Sequence, residues 1–196
     1  MKKAIFIFTL IFLCTTVGAQ KIKLESGSLN FLKNEKTITA KFTYENMRVG
    51  KMSEDEYLKG RVEKLNESES GRGDKWREAW INDRTERFEP KFKELFNKQN
   101  SEKGGPVIDD EGKYEMIVNT WFSEPGFNVG VARKSASVSL LCTFVNKETG
   151  QEEAEVSVAG SAAANFWGTD FDTGYRLQES YAKAGRELAN FIRKKL

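Results

Sequence analysis

Three period-two stretches follow one another near the C-terminal half, and they constrain the fold more than any other feature. Tyr114, Met116, Val118, Thr120 and Phe122 alternate with Glu115, Ile117, Asn119 and Trp121. Val138, Leu140, Cys142 and Phe144 alternate with Ser137, Ser139, Leu141 and Thr143. Ala154, Val156 and Val158 alternate with Glu153, Glu155 and Ser157. Successive side chains of a strand point to opposite faces, so each stretch reads as a strand with one apolar face. Pro125-Gly126 reads as a turn with Gly126 at positive φ. Lys147-Glu148-Thr149-Gly150 carries a hairpin signal. The three strands therefore form an antiparallel meander.

Elsewhere the period lengthens. Ser53-Glu54-Asp55-Glu56 is a capping box, with Met52 and Tyr57 placed for a hydrophobic staple. It opens a helix over 54–66 with Leu58, Val62 and Leu65 on one stripe. Asn66 to Gly73 reads as a loop, with Asp74 as the cap of a second helix. Trp76, Trp80, Ile81, Phe88, Phe92, Leu95 and Phe96 form its stripe, which Pro90 interrupts. A proline removes one backbone donor and disfavours helical geometry just before it. The expectation is a kink near 88, or two helices over 75–88 and 90–98. Leu177, Tyr181, Ala184, Leu188, Phe191 and Ile192 make a C-terminal amphipathic helix, with Leu177, Tyr181, Leu188 and Phe191 buried. Gly185, with Ala182 and Ala189 nearby, would let that helix approach the sheet closely. Upstream, Ile38, Ala40, Phe42 and Tyr44 alternate with threonines and a lysine, so 29–45 reads as a small hairpin or one bent strand. Residues 20–28 read as a polar lead-in and 101–112 as a connector. The element order predicts one α+β domain over 20–196: a mostly antiparallel sheet of four or five strands with helices packed on one face, the C-terminal helix among them.

The first 19 residues have the layout of a secretory signal. Met1-Lys2-Lys3 is basic, Ala4 to Leu13 is apolar but for Thr9, and Val17-Gly18-Ala19 precedes Gln20. The apolar run is short for a bilayer, which asks for roughly 20 residues. Cleavage after Ala19 of 196 residues would leave 177. Lys2 and Lys3 would leave with it, and the 31 Lys and Arg would fall to 29, matching 29 Asp and Glu. A mature chain without net charge has no general affinity for nucleic acid or an anionic membrane. Bulky Leu13 before Cys14 argues for release rather than lipid anchoring. The expected location is periplasmic or secreted, with no transmembrane segment in the mature chain.

Composition narrows the chemistry. The chain has no histidine, which excludes Ser-His-Asp and Cys-His catalysis and His-ligated zinc. Cys142 is left alone after cleavage, on an apolar strand face, and reads as a buried inert thiol. No cofactor, metal or catalytic residue is expected.

The candidate site is the stretch from Asn165 to Arg176, where Phe166, Trp167, Asp170 and Phe171 share a glycine-containing loop leading into the last helix. Rings that stack on an apolar face beside carboxylates that accept hydrogen bonds suit a sugar or a peptide. The competing reading has the rings plug the sheet edge while Asp172 or Thr173 caps the helix. Phe127, in Glu124 to Val131, joins the candidate surface as part of an edge strand or an apolar lip. Asp109-Asp110-Glu111-Gly112 reads as a solvated turn and Arg72-Gly73-Asp74 as a chance adhesion tripeptide.

Glu54 to Leu58, Phe88-Glu89-Pro90-Lys91-Phe92, Glu124-Pro125-Gly126-Phe127 and Phe171-Asp172-Thr173-Gly174-Tyr175-Arg176 resemble stretches of small secreted proteins of unknown function from Bacteroidetes-type bacteria. That resemblance implies no activity and transfers no functional residue. More distantly, the element order resembles envelope proteins with a fold like the TolB amino-terminal domain. The expected function is that of a non-catalytic envelope binding or assembly module whose partner is a glycan, peptide or protein. The alternative is a carboxylate-dependent glycan hydrolase, which needs no histidine.

Overall fold

The computed structural model describes residues 21–129, 132–162 and 172–196; the signal expected over 1–19 lies outside them. The chain begins with β1 (Lys21–Gly27), a 3-10 turn at Asn30–Asn34 and β2 (Thr37–Thr43). Two-residue strands β3 (Arg48–Val49) and β4 (Met52–Ser53) lead into α1 (Glu54–Ser68). Then come α2 (Arg72–Asp83), a π-helical turn at Arg84–Phe88 and α3 (Glu89–Lys103). After β5 (Val107–Ile108) follow β6 (Tyr114–Glu124), the small hairpin β7 (Phe127–Val129) and β8 (Ala132–Lys134), β9 (Ser137–Asn146), β10 (Glu152–Ala162) and α4 (Thr173–Arg193).

The architecture is α+β, and the expected meander is present. β6 pairs antiparallel with β9, and β9 with β10. The expected sheet needs correction in size and kind. Eight strands share one sheet in the order β1-β10-β9-β6-β2-β5, with β3 on β6 and β4 on β3. It is mixed, because β2 and β3 pair parallel with β6 and β5 pairs parallel with β2. The cause is the helical block between β4 and β5: a long crossover returns the chain in the same direction, whereas a tight turn reverses it. β1, read as a lead-in, adds an antiparallel edge to β10 with Ile22 and Leu24 half-buried. Leu29, Phe31 and Leu32 are not in a strand. The 3-10 turn, at three residues per turn, points Leu29 and Leu32 together into the core.

The helix starts follow local chemistry. At α1, Glu56 N–H donates to Ser53 Oγ at 3.3 Å and Ser53 N–H donates to Glu56 Oε2 at 2.8 Å, completing the capping box. Met52 stays 45 % exposed in β4. At α2 the cap is Gly71, at φ 78°, not Asp74. The Arg72-Gly73-Asp74 tripeptide is thus the first turn of a helix, with Gly73 buried and its N–H donating to Asn66 Oδ1 at 2.7 Å. Pro90 sits at the start of α3, which continues directly from the π-helical turn with Phe88 and Glu89 in helical geometry, so its missing donor falls where the winding changes. The break expected there takes the form of the π-helical turn, whose wider winding sets Phe88 parallel to Tyr181 at 4.9 Å.

One core joins Met116, Val118, Leu140, Phe144, Val156 and Val158 of the sheet to Phe92, Phe96, Leu177, Leu188 and Ile192 of the helices. The alternate strand residues, Ile117, Leu141 and Val145 among them, stay half-exposed on the other face. Cys142 is buried in this core, and loss of hydration pushes its thiol up to about 12. Two expectations about α4 change. Ile192 is buried whereas Phe191 is half-buried against the core. Gly185 provides close approach to α3 rather than to the sheet: a Cβ there would run into the carbonyl of Phe92. Among the described residues no helix is long and apolar enough to cross a membrane.

Candidate functional site

At the first turn of α4, charged groups from α2, the π-helical turn and α4 itself meet. Asp172 holds extended backbone geometry and caps the helix by accepting from Gly174 N–H at 2.8 Å. Its other oxygen accepts from Arg87 Nη1 at 2.7 Å. Arg87, in the π-helical turn, also pairs through Nε with Asp83 Oδ1 at 3.0 Å, one turn back. Gly174 is buried, and a Cβ there would strike the Asp83 carboxylate. The two carboxyls respond in opposite directions. Asp83 is pushed up, mainly by desolvation, and Asp172 adds repulsion. Asp172 is partly desolvated too, but the hydrogen bonds from Arg87 and Gly174 outweigh this and draw it down.

One turn further, Arg176 reaches across to the loop after β6. Its Nε donates to Pro125 O at 3.2 Å, and Nη2 donates to Thr173 Oγ1 at 3.1 Å. Glu124 closes the root of the β7–β8 hairpin by accepting from Gly126 N–H at 3.1 Å and from Lys134 Nζ at 2.5 Å. Gly126 has the expected positive φ, 67°, and a Cβ there would meet the backbone of β8 and Ser135. Beyond it Phe127 is 44 % exposed.

Beside the Asp83–Asp172 pair lies a cleft of about 240 Å³. Trp76, Ala79, Trp80 and Asp83 form one wall, at the spacing that puts residues on one face of α2. Arg61 of α1 and residues 172–174 complete it. Tyr57 packs beside both indoles, 5.9 Å from Trp76 and 5.3 Å from Trp80 between ring centroids. Behind them Trp80 Nε1 donates to Glu54 Oε1 at 2.6 Å, and Arg84 Nη2 donates to both Glu54 oxygens at 2.5 and 2.7 Å. Arg84 stacks 4.1 Å from the Tyr44 ring centre, and Tyr44 donates to Glu89 at 3.3 Å. Glu54, the first residue of α1, thus locks the buried edge of Trp80. Trp76 is half-buried, with the Arg61 guanidinium 5.7 Å over its ring.

Of the sequence-predicted site residues, Phe166, Trp167, Asp170 and Phe171 lie outside the described residues. Phe127 stands on the hairpin whose root Arg176 holds to α4. Tyr57, Arg61, Trp76 and Asp83 were not singled out as site residues, since the tryptophans read as part of a core stripe. The available signal was Trp76, Ala79, Trp80 and Asp83 together: an aromatic face with a small gap and a carboxylate at its end. Another exposed ring, Trp121 at 43 %, lies beside Phe122 on β6, where a register shift interrupts the ladder. Among the described residues no group of three or more acids or thiols is arranged to hold a metal ion.

No protein-family model matches the chain, and no curated protein matches it in sequence. Among solved structures it is similar to a PelC variant dodecamer from Paraburkholderia phytofirmans, at 7% identity, with 85% of this chain and 97% of that chain covered and a TM-score of 0.33. A likeness at that level lies below that of a shared fold.

Proposed function

We propose that the protein is an exported, non-catalytic binding or assembly module of the cell envelope, with its ligand surface on the rim where the β7–β8 hairpin meets the first turn of α4. The observation that carries this reading is the Arg176 bridge to Pro125, which holds the root of the hairpin that carries exposed Phe127 against the first turn of α4. An exposed ring on a fixed root supplies contact area at little entropic cost. Export follows from the signal over 1–19, and the resemblance to small secreted proteins agrees with it. The absence of histidine and the buried thiol of Cys142 weigh against nucleophilic and imidazole chemistry.

The alternative, a carboxylate-dependent glycan hydrolase, has one observation in its favour: Asp83 and Asp172 line one cleft and are shifted in opposite senses. Against it, Arg87 bonds both carboxylates and Asp172 is already engaged as a helix cap.

The test is co-sedimentation of residues 20–196 with isolated envelope polymer. Binding that falls about tenfold in Phe127→Ser, with an unchanged melting temperature, supports the rim surface. Absent or unchanged binding removes it. Hydrolysis of the polymer that is lost in both Asp83→Asn and Asp172→Asn would replace the binding reading with the alternative.

A further inference from the structure

We infer that the cleft between α2 and the first turn of α4 is a sugar subsite that takes a single neutral hexopyranose, as the terminal residue of a glycan. This rests on the binding reading above and names the ligand class.

Four features of the cleft lead there. The Trp76 ring is half-buried on one wall, and small Ala79 beside it leaves the room that a larger side chain would fill. The C–H face of a pyranose is apolar and flat, and the indole edge left open beside the Arg61 guanidinium, which lies 5.7 Å over the Trp76 ring, gives it contact area. At the end of the same wall stand two carboxylates. Each carboxylate has about four lone-pair sites, so the bonds to Arg87 and Gly174 leave acceptor capacity for sugar hydroxyls. Asp83 is only 16 % exposed, so a hydroxyl that bonds to it does so where water competes weakly.

Charge then selects among polar ligands. Asp83 and Asp172 are offset by Arg87 and Arg61, so the cleft offers no net charge to a cationic peptide or an acidic sugar. A polyhydroxylated neutral ring satisfies acceptors and aromatic wall together. Size sets the length: about 240 Å³ lies below the roughly 300–1,000 Å³ of pockets for drug-sized ligands, so one ring fits rather than a chain. The cleft is rigid because the Trp80–Glu54–Arg84 bonds fix its back wall and Asp172 its front. Preorganisation of that kind reduces the entropic cost of binding a small ligand.

The test follows the indole resonances of residues 20–196 by NMR during titration with methyl β-glucopyranoside, methyl β-galactopyranoside and methyl α-mannopyranoside, with glucuronate as the charged control. The expected result is a saturable shift of the Trp76 signal with at least one neutral methyl hexoside, and affinity for glucuronate about tenfold weaker. Ala79→Leu fills the gap at an exposed helical position that leucine tolerates, and it should weaken the sugar about tenfold or more. Trp76→Phe keeps an aromatic face, and its affinity, read at the Trp80 indole of the same wall, should stay within about threefold. No saturable shift with any of the three neutral sugars, or a shift that survives Ala79→Leu, overturns the inference. Co-sedimentation of the unaltered protein with envelope polymer separates the two failures: polymer binding without a sugar shift sinks the subsite and leaves the rim reading standing, whereas loss of both sinks both.

Discussion

The middle of α4 and its first turn belong to one helix but are held in place by different forces. In the middle, Ala184, Gly185, Leu188 and Ala189 are buried, and Gly185 lies against the Phe92 backbone with no room for a methyl group. None of these buried residues is charged, and Lys183, Arg186 and Glu187 beside them stay at least partly exposed. At the first turn, Asp172, Gly174 and Arg176 are placed by hydrogen bonds and ion pairs to Asp83, Arg87 and Pro125. Apolar packing is non-directional and closes every gap it can. Directional bonds fix atoms at set distances and leave space between them, and the cleft beside Trp76 is such a space. A helix that is sealed along its length and bonded at its end anchors the domain and presents a rim at once.

The sealed region is where substitution should cost most. Leu188 is fully buried, so Leu188→Ala should destabilise by about 2–5 kcal/mol in denaturant unfolding. A loss below about half a kcal/mol, the scatter of surface substitutions, would show the helix to be peripheral. Gly185→Ala adds one methyl group where the obstacle is backbone, which cannot rotate away. The expected cost is about 1–3 kcal/mol, seen as a lower melting temperature. An unchanged melting temperature would mean that α3 and α4 separate freely, and the contrast between the two parts of α4 would fail. Neither change should alter ligand affinity at temperatures where the variants remain folded.

The sealed region was also the more legible in the sequence. The meander is visible because Met116, Val118, Leu140 and Phe144 recur at every second position of β-branched and apolar-rich stretches. Burial of one sheet face enforces that period even though Ile117, Leu141 and Val145 on the other face are apolar too. The helical stripe of α4 is visible for the same reason at a different period. The parallel half of the sheet is not visible this way. β3 and β5 are two residues each, too short to show a period, and the parallel pairing of β2 and β3 with β6 and of β5 with β2 is decided by where the helical crossover returns the chain. Gly185 announced a close approach, but a glycine does not say to what. At the rim, the Asp172 cap was legible because capping is local, whereas the Arg87–Asp172 pair joins residues 85 apart in sequence. The cleft was hidden for a related reason. Trp76 and Trp80 belong to one apolar stripe, and only the tertiary arrangement buries one while leaving the other half-exposed.

The smallest expected effect is the most specific to the rim. Arg87→Gln removes both ion pairs, yet Arg87 and Asp172 are substantially exposed, so the loss should stay below about 1 kcal/mol. Its pH dependence carries more information than its size. Asp172 is held below the usual carboxyl value, so its contribution is present above the unfolded value near 3.8 and is lost as pH falls through the folded value. Asp83 is raised, so its ionised form costs stability, and that cost appears as pH rises through its folded value. The two slopes have opposite signs and lie on opposite sides of the unfolded value of 3.8, so the contribution of the rim should peak there, falling at lower pH through Asp172 and at higher pH through Asp83. Asp172→Asn retains a capping oxygen but ends the titration. The gap in melting temperature between this variant and the parent should therefore be largest at neutral pH and close as the parent's Asp172 becomes protonated. A gap that persists undiminished under strongly acid conditions would mean that the carboxylate acts as a cap alone. The charge pairing that distinguishes this turn from the middle of α4 would then have no energetic content.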